Sequence, residues 1–107
     1  MKDKQVIELS GSQFTQVIAD GVTLVDFWAP WRRPCQMQGP ILEGVAKSID
    51  GSSKIAKVNV DEAGSIAGRF GVQSIPTLIL FKNGIEVRRF VGVQSMDILI
   101  DAISLAV

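Results

Sequence analysis

Histidine is absent from this sequence, cysteine occurs once, at position 35, and 11 lysines and arginines are matched by 11 aspartates and glutamates. Each shortage removes a class of chemistry. Catalytic triads and zinc sites draw on histidine or on several cysteines, so neither can be assembled here. A disulfide within the chain needs two sulfurs and is excluded by counting. A formal net charge of zero lacks the strong basic field on which nucleic-acid binders rely. No apolar run reaches the roughly 18 residues that a membrane helix requires. Residues 1–4 carry charge, but residues 5–10 are too short and too polar to be the apolar region of a signal peptide. These absences predict a soluble, cytoplasmic protein that binds neither nucleic acid nor membrane and needs no cofactor.

What is present is apolar. Hydrophobic residues make up 47% of the 107, enough for one core without disulfide staples. No repeat, low-complexity tract or linker interrupts the chain, so a single domain over residues 1–107 is expected. Residues 6–9 read as a short strand. Ser10 and Gln13 have the spacing of a capping box. Phe14, Val17 and Ile18 follow at helical spacing, and Asp20-Gly21 stops that helix. Residues 22–28 place β-branched and aromatic side chains on both sides, as a central, parallel strand covered on both faces would, and include one charge, Asp26.

Pro34 suits the first turn of a helix. The buried face of that helix is predicted as Met37, Ile41, Leu42, Val45, Ala46 and Ile49, with a kink at Pro40 and a stop at Asp50-Gly51. Residues 55–60 form the next strand, and Asp61 is a candidate cap for a short helix reaching Phe70, which Gly64 and Gly68 weaken. Residues 75–81, the turn Asn83-Gly84 and residues 86–91 read as an antiparallel hairpin. Ser95 caps a last helix burying Ile98, Leu99, Ala102, Ile103 and Leu105. The charges at Lys2, Asp3, Lys4, Lys47 and Lys54 are assigned to solvated surface. The order βαβαβαββα, parallel units first and a hairpin last, predicts an α/β fold: a mixed five-stranded sheet with helices on both faces.

The most specific segment is Trp28-Ala29-Pro30-Trp31-Arg32-Arg33-Pro34-Cys35, where the central strand gives way to the long helix. It resembles the active-site segment of the thioredoxin family, W-A-x-W-C-x-P-C. Asp26, Pro40, Lys57, Ile75-Pro76-Thr77, the Phe81-Lys82-Asn83-Gly84 turn and Gly92 match the same family in order and spacing across the whole chain. The resemblance implies a thioredoxin fold and, as family activity, protein-disulfide reduction with electrons from a thioredoxin reductase. It further implies a cis bond before Pro76. Beside it, a shallow apolar groove of Trp31, Arg33, Pro34, Ile75, Pro76, Val91 and Gly92 would bind partner proteins or peptides in extended form.

One position departs from the pattern. Where the family has its exposed nucleophilic cysteine, this chain has Arg32. That cysteine's thiolate attacks a substrate disulfide and forms a mixed disulfide, which the second cysteine, here Cys35, resolves. The resemblance assigns Asp26 as proton acceptor for Cys35, with Lys57 nearby. With the first sulfur missing, the expectation is a redox-inactive or strongly impaired member that keeps the groove. Two other readings stand beside it: a non-catalytic module docking partners through the Trp31, Pro76 and Gly92 surface, and a monothiol protein forming mixed disulfides through Cys35.

Elementary electrostatics mark the same position. An exposed cation at the start of a helix is unfavourable by about 0.3–1 kcal/mol, and Arg33 adds a second, whereas a thiolate there would be stabilised. A local rule broken in this way marks a functional site or an imposed change. Cys35 reads either as a small buried hydrophobe or as a thiol whose ionised form the two arginines favour. Asp26, with Val25 and Phe27 beside it and Leu24 and Trp28 on its own face, is predicted buried, with its carboxyl pKa raised.

Overall fold

Alternation along the central strand decides the architecture. In β2 (Val22–Trp28), Val25 and Phe27 join one apolar cluster while Val22 and Leu24 join another. Successive side chains of an extended chain point to opposite faces, and a strand apolar on both must be covered twice. In the computed structural model, which describes residues 4–49 and 51–107, α1 (Phe14–Ile18) and α3 (Gly64–Arg69) cover the first face, and α2 (Arg33–Ser48) and α4 (Met96–Ala106) the second. The charges at Lys2 and Asp3 and the helix stop at Asp50 lie outside the described residues. The first face is aromatic: Phe14, Phe27, Phe70 and Phe81 pack in tilted and edge-on pairs with ring centroids 5.2 to 6.3 Å apart.

The sheet runs β1 (Ile7–Glu8), β3 (Lys54–Asn59), β2, β4 (Thr77–Lys82), β5 (Ile85–Val91). The predicted mixed sheet of five strands, with helices on both faces, is the one found. β2 lies at its centre, but it is parallel only to β3; its other neighbour, β4, is antiparallel. The register aligns Phe27 with Thr77 and Thr77 with Val91, so the carboxyl ends of β2 and β5 meet the amino end of β4. Trp28 pairs with Asn59 at the carboxyl end of β3. The segments that follow β2, β3 and β5 and precede β4 therefore converge at one end of the sheet, the place where open α/β sheets form their clefts.

The turn between β4 and β5 has Asn83 at φ 50° and Gly84 at φ 85°. Two positive values define the turn whose twist suits a two-residue hairpin. A Cβ on Gly84 would touch nothing closer than 3.9 Å, so any penalty is one of backbone conformation. Gly84→Ala is expected to lower stability by about 1 kcal/mol, read as a fall in the urea midpoint; an unchanged midpoint would refute that origin.

Several local expectations are corrected. The buried face of α2 is Cys35, Gln38, Leu42, Val45 and Ala46, while Met37 is 58% exposed. Leu42, Val45 and Ala46 set the phase of the helix, and one residue of offset, about 100° of rotation, turns Met37 outward and Gln38 inward. The helix continues through Pro40. In α4, Leu99, Ala102 and Ile103 are buried but Ile98 and Leu105 are exposed, since a 3.6-residue period cannot point every apolar residue of an apolar run inward. The Ser95 cap is present, its hydroxyl accepting from the Ile98 N–H at 3.3 Å.

Ser10 and Gln13 make half of a capping box: the Gln13 side chain accepts from the Ser10 N–H at 3.4 Å, but the Gln13 N–H goes to the Ser10 carbonyl instead of its hydroxyl. Asp61 caps nothing, because α3 begins at Gly64 with Ala63 preceding it. Ile75 and Pro76 lie before β4, not within it. No helix among the described residues is long and apolar enough to cross a membrane.

Candidate functional site

The chain leaves β2 at Trp28 and turns before α2. The Arg32 N–H donates to the Ala29 carbonyl at 3.3 Å, and the Gln36 amide donates to the Pro30 carbonyl at 3.0 Å, tying the loop to the first helical turn. Pro34 occupies that first turn, half-buried, where its missing N–H is not needed. The rotation that exposes Arg33 drives Cys35 inward to 2% exposure. Burial pushes the Cys35 thiol up; a backbone hydrogen bond from Ala29 opposes this, the Asp26 charge adds to it, and the Arg32 charge opposes it. Arginine stabilisation of a thiolate, one of the two expectations for this residue, is outweighed by desolvation.

Asp26 lies on the same face of the sheet as α2 and is 2% exposed. Its Oδ1 has no hydrogen-bond partner among the described residues. Burial raises its carboxyl pKa from 3.8 to about 7, with the Lys57 charge pulling the other way. Lys57 is its register partner on β3, and the Lys57 ammonium sits 4.6 Å from the centroid of the Trp28 ring, a cation–π contact. Asp26, Lys57 and Cys35, far apart in sequence, thus form one electrostatic group.

Trp31 is 64% exposed and is anchored at one end, its indole N–H donating to Asp61 Oδ2 at 2.8 Å. The Arg32 guanidinium lies 5.6 Å from the Trp31 ring centroid. Across the end of the sheet, the Ile75-Pro76 bond is cis. The Pro76 carbonyl accepts from the Gly92 N–H at 2.8 Å, and the Ser74 carbonyl from the Thr77 hydroxyl at 2.6 Å. Neither the N–H nor the C=O of Ile75 has a partner among the described residues. Gly92 has φ 91°, a conformation that side chains disfavour, and Val91 beside it is 62% exposed.

Two contributors escaped the sequence reading. Asp61 holds Trp31 across 30 residues of chain, a pairing with no local signal. Gln38 is fully buried; its amide donates to the Gln94 carbonyl at 3.1 Å and accepts from the Gln94 N–H at 2.7 Å, closing a ring that fixes the segment after Gly92. The Gln94 amide adds a bond to the Gly92 carbonyl at 3.2 Å. The only trace of Gln38 in the sequence is its phase with Leu42 and Val45. Gln38→Leu strips the Gln94 main chain of both partners and is expected to cost about 1–3 kcal/mol; a urea midpoint equal to that of the unaltered chain would show that solvent replaces them.

Comparison with known proteins follows the same lines. The family model described as Thioredoxin matches residues 5–105. A thioredoxin from Staphylococcus saprophyticus subsp. saprophyticus is 46% identical over 98 residues, spanning 92% of this chain and 94% of that protein. One from Staphylococcus haemolyticus is 47% identical over 92 residues, spanning 86% and 88%. Among solved structures, a mutant thioredoxin from Halobacterium salinarum NRC-1 superposes with a TM-score of 0.91 at 35% identity, over 99% of this chain and 94% of that one. Family match, relatives and sheet agree along almost the entire length, and the chain belongs to the thioredoxin family, whose chemistry is thiol-disulfide exchange.

Proposed function

We propose that this chain binds extended segments of partner proteins in the groove beside Ile75, Pro76, Val91 and Gly92 and does not complete the dithiol turnover of its family. The observation that carries the reading is the state of its one thiol: Cys35 is 2% exposed, and the residue three before it is Arg32. Disulfide reduction needs an accessible thiolate to open the substrate bridge and a second thiol to release the mixed disulfide. Arginine can do neither. A thioredoxin reductase, the family's source of electrons, finds no intrachain disulfide here to reduce.

The same burial, with the raised thiol, weighs against a monothiol role for Cys35, because a sulfur without solvent access attacks slowly and a protonated one scarcely at all. Asp26 and Lys57 stand ready to handle the Cys35 proton but have no reaction to serve. The groove depends on neither sulfur: the unpaired Ile75 main chain offers the hydrogen bonds that an extended peptide accepts and donates, and Trp31 and Val91 offer apolar contact. Insulin reduction by the unaltered chain beside Arg32→Cys tests the reading; equal high turnover in both would overturn it.

A further inference from the structure

We propose that this groove selects extended peptide segments carrying an acidic residue among apolar ones, with Arg32 and Arg33 reading the acid; the proposal rests on the groove-binding reading above. The register that sets Phe27, Thr77 and Val91 side by side opens the head of α2 and the Ile75 edge on the same end of the sheet. Both arginines stand at that head. Neither guanidinium has an ion pair or a side-chain hydrogen bond among the described residues, where the recorded ion pair is Arg89 with Glu86. The Trp31 ring holds Arg32 by its face, a contact that fixes the group and leaves its N–H donors unspent. The Asp61 carboxylate, engaged by the Trp31 indole, forms an ion pair with neither arginine.

The apolar side of the recognition is on the same surface. Trp31 and Val91 are mostly exposed, and Met37 lies one turn along α2 from Arg33 on the same helical face, also exposed. An extended segment paired with the Ile75 main chain would present every second side chain to this surface, so an acid and an apolar residue two apart reach it together. A guanidinium binds a carboxylate through two parallel N–H donors. Two adjacent cations at the positive end of a helix repel one another and the helix dipole; a carboxylate relieves that repulsion and a lysine worsens it.

The test is isothermal titration calorimetry with synthetic peptides identical except for one central residue, Glu, Gln or Lys, with a valine two residues to either side of it. The Glu peptide is expected to bind the unaltered chain about tenfold more tightly than the Gln peptide, and the Lys peptide more weakly than either. Added salt should shrink the preference, and Arg32→Gln combined with Arg33→Gln should abolish it, with folding checked by circular dichroism. Arg33→Glu alone should narrow or invert the Glu and Lys order. Equal affinity for the Glu and Gln peptides, or a Glu preference that survives the double substitution, overturns acid selection while leaving groove binding in place. Failure of every peptide to bind overturns both.

Discussion

Arg32→Cys is expected to raise insulin reduction from background by roughly 10³-fold, the scale on which a covalent nucleophile matters. The substitution places a thiol where the first turn of α2 stabilises its thiolate, three residues before Cys35 and on the same side of the helix. The new thiolate attacks one sulfur of the insulin bridge, displacing the other as a thiolate and leaving a mixed disulfide. Cys35 then attacks the position 32 sulfur, frees the second insulin thiol and closes an intrachain disulfide, which dithiothreitol reduces for the next cycle. The Asp26 carboxyl titrates at about 7 and its charge is felt at Cys35; with Asp26 as the proposed acceptor of the Cys35 proton, turnover of the variant should climb as pH rises through that value. Arg32→Ser supplies the control: it removes the cation without adding sulfur and should stay at background. Turnover in Arg32→Ser, or turnover by the unaltered chain as fast as by Arg32→Cys, would show that the missing sulfur does not govern the reaction.

Asp26→Ala is expected to stabilise the protein at pH 8 by about 2–4 kcal/mol. The native carboxyl titrates at about 7 against 3.8 for the unperturbed group, so between these values the folded chain holds a proton that the unfolded chain has lost. Stability therefore falls as pH rises through this window, by about 4 kcal/mol in all, and levels off above it, where both states are ionised. The variant lacks this slope. Its advantage should be complete at pH 8 and absent near pH 4, less the small void left by the shorter side chain. Asp26→Asn should gain less, because its amide inherits an unpaired buried position. Urea midpoints at the two pH values check both claims; lower midpoints for both variants at pH 8 would refute burial as the dominant influence on Asp26.

The strands and the order of elements were legible because they rest on local patterns. Apolar residues on both faces of β2, a Pro in the first turn of α2, the Asn83-Gly84 turn and the Ser95 cap each act within a few residues, and each appears in the structure. Burial within helices was less legible. Met37 and Gln38 are adjacent, and composition favours the methionine inside, but helix phase is set by what Leu42 and Val45 pack against, which is tertiary.

Residue identity and spacing alone established that one thiol is present, that an arginine stands three residues before it, and that dithiol chemistry within the chain is closed. Counting needs no fold. The tertiary structure decided the environments: that Cys35 faces inward, that the Asp26 carboxyl lacks a partner for one oxygen, that Asp61 reaches Trp31, and that Gln38 braces the segment after Gly92. Desolvation and hydrogen bonding depend on distances between residues that the chain brings together from 30 or more positions apart, and those distances exist only once strand order and register are set.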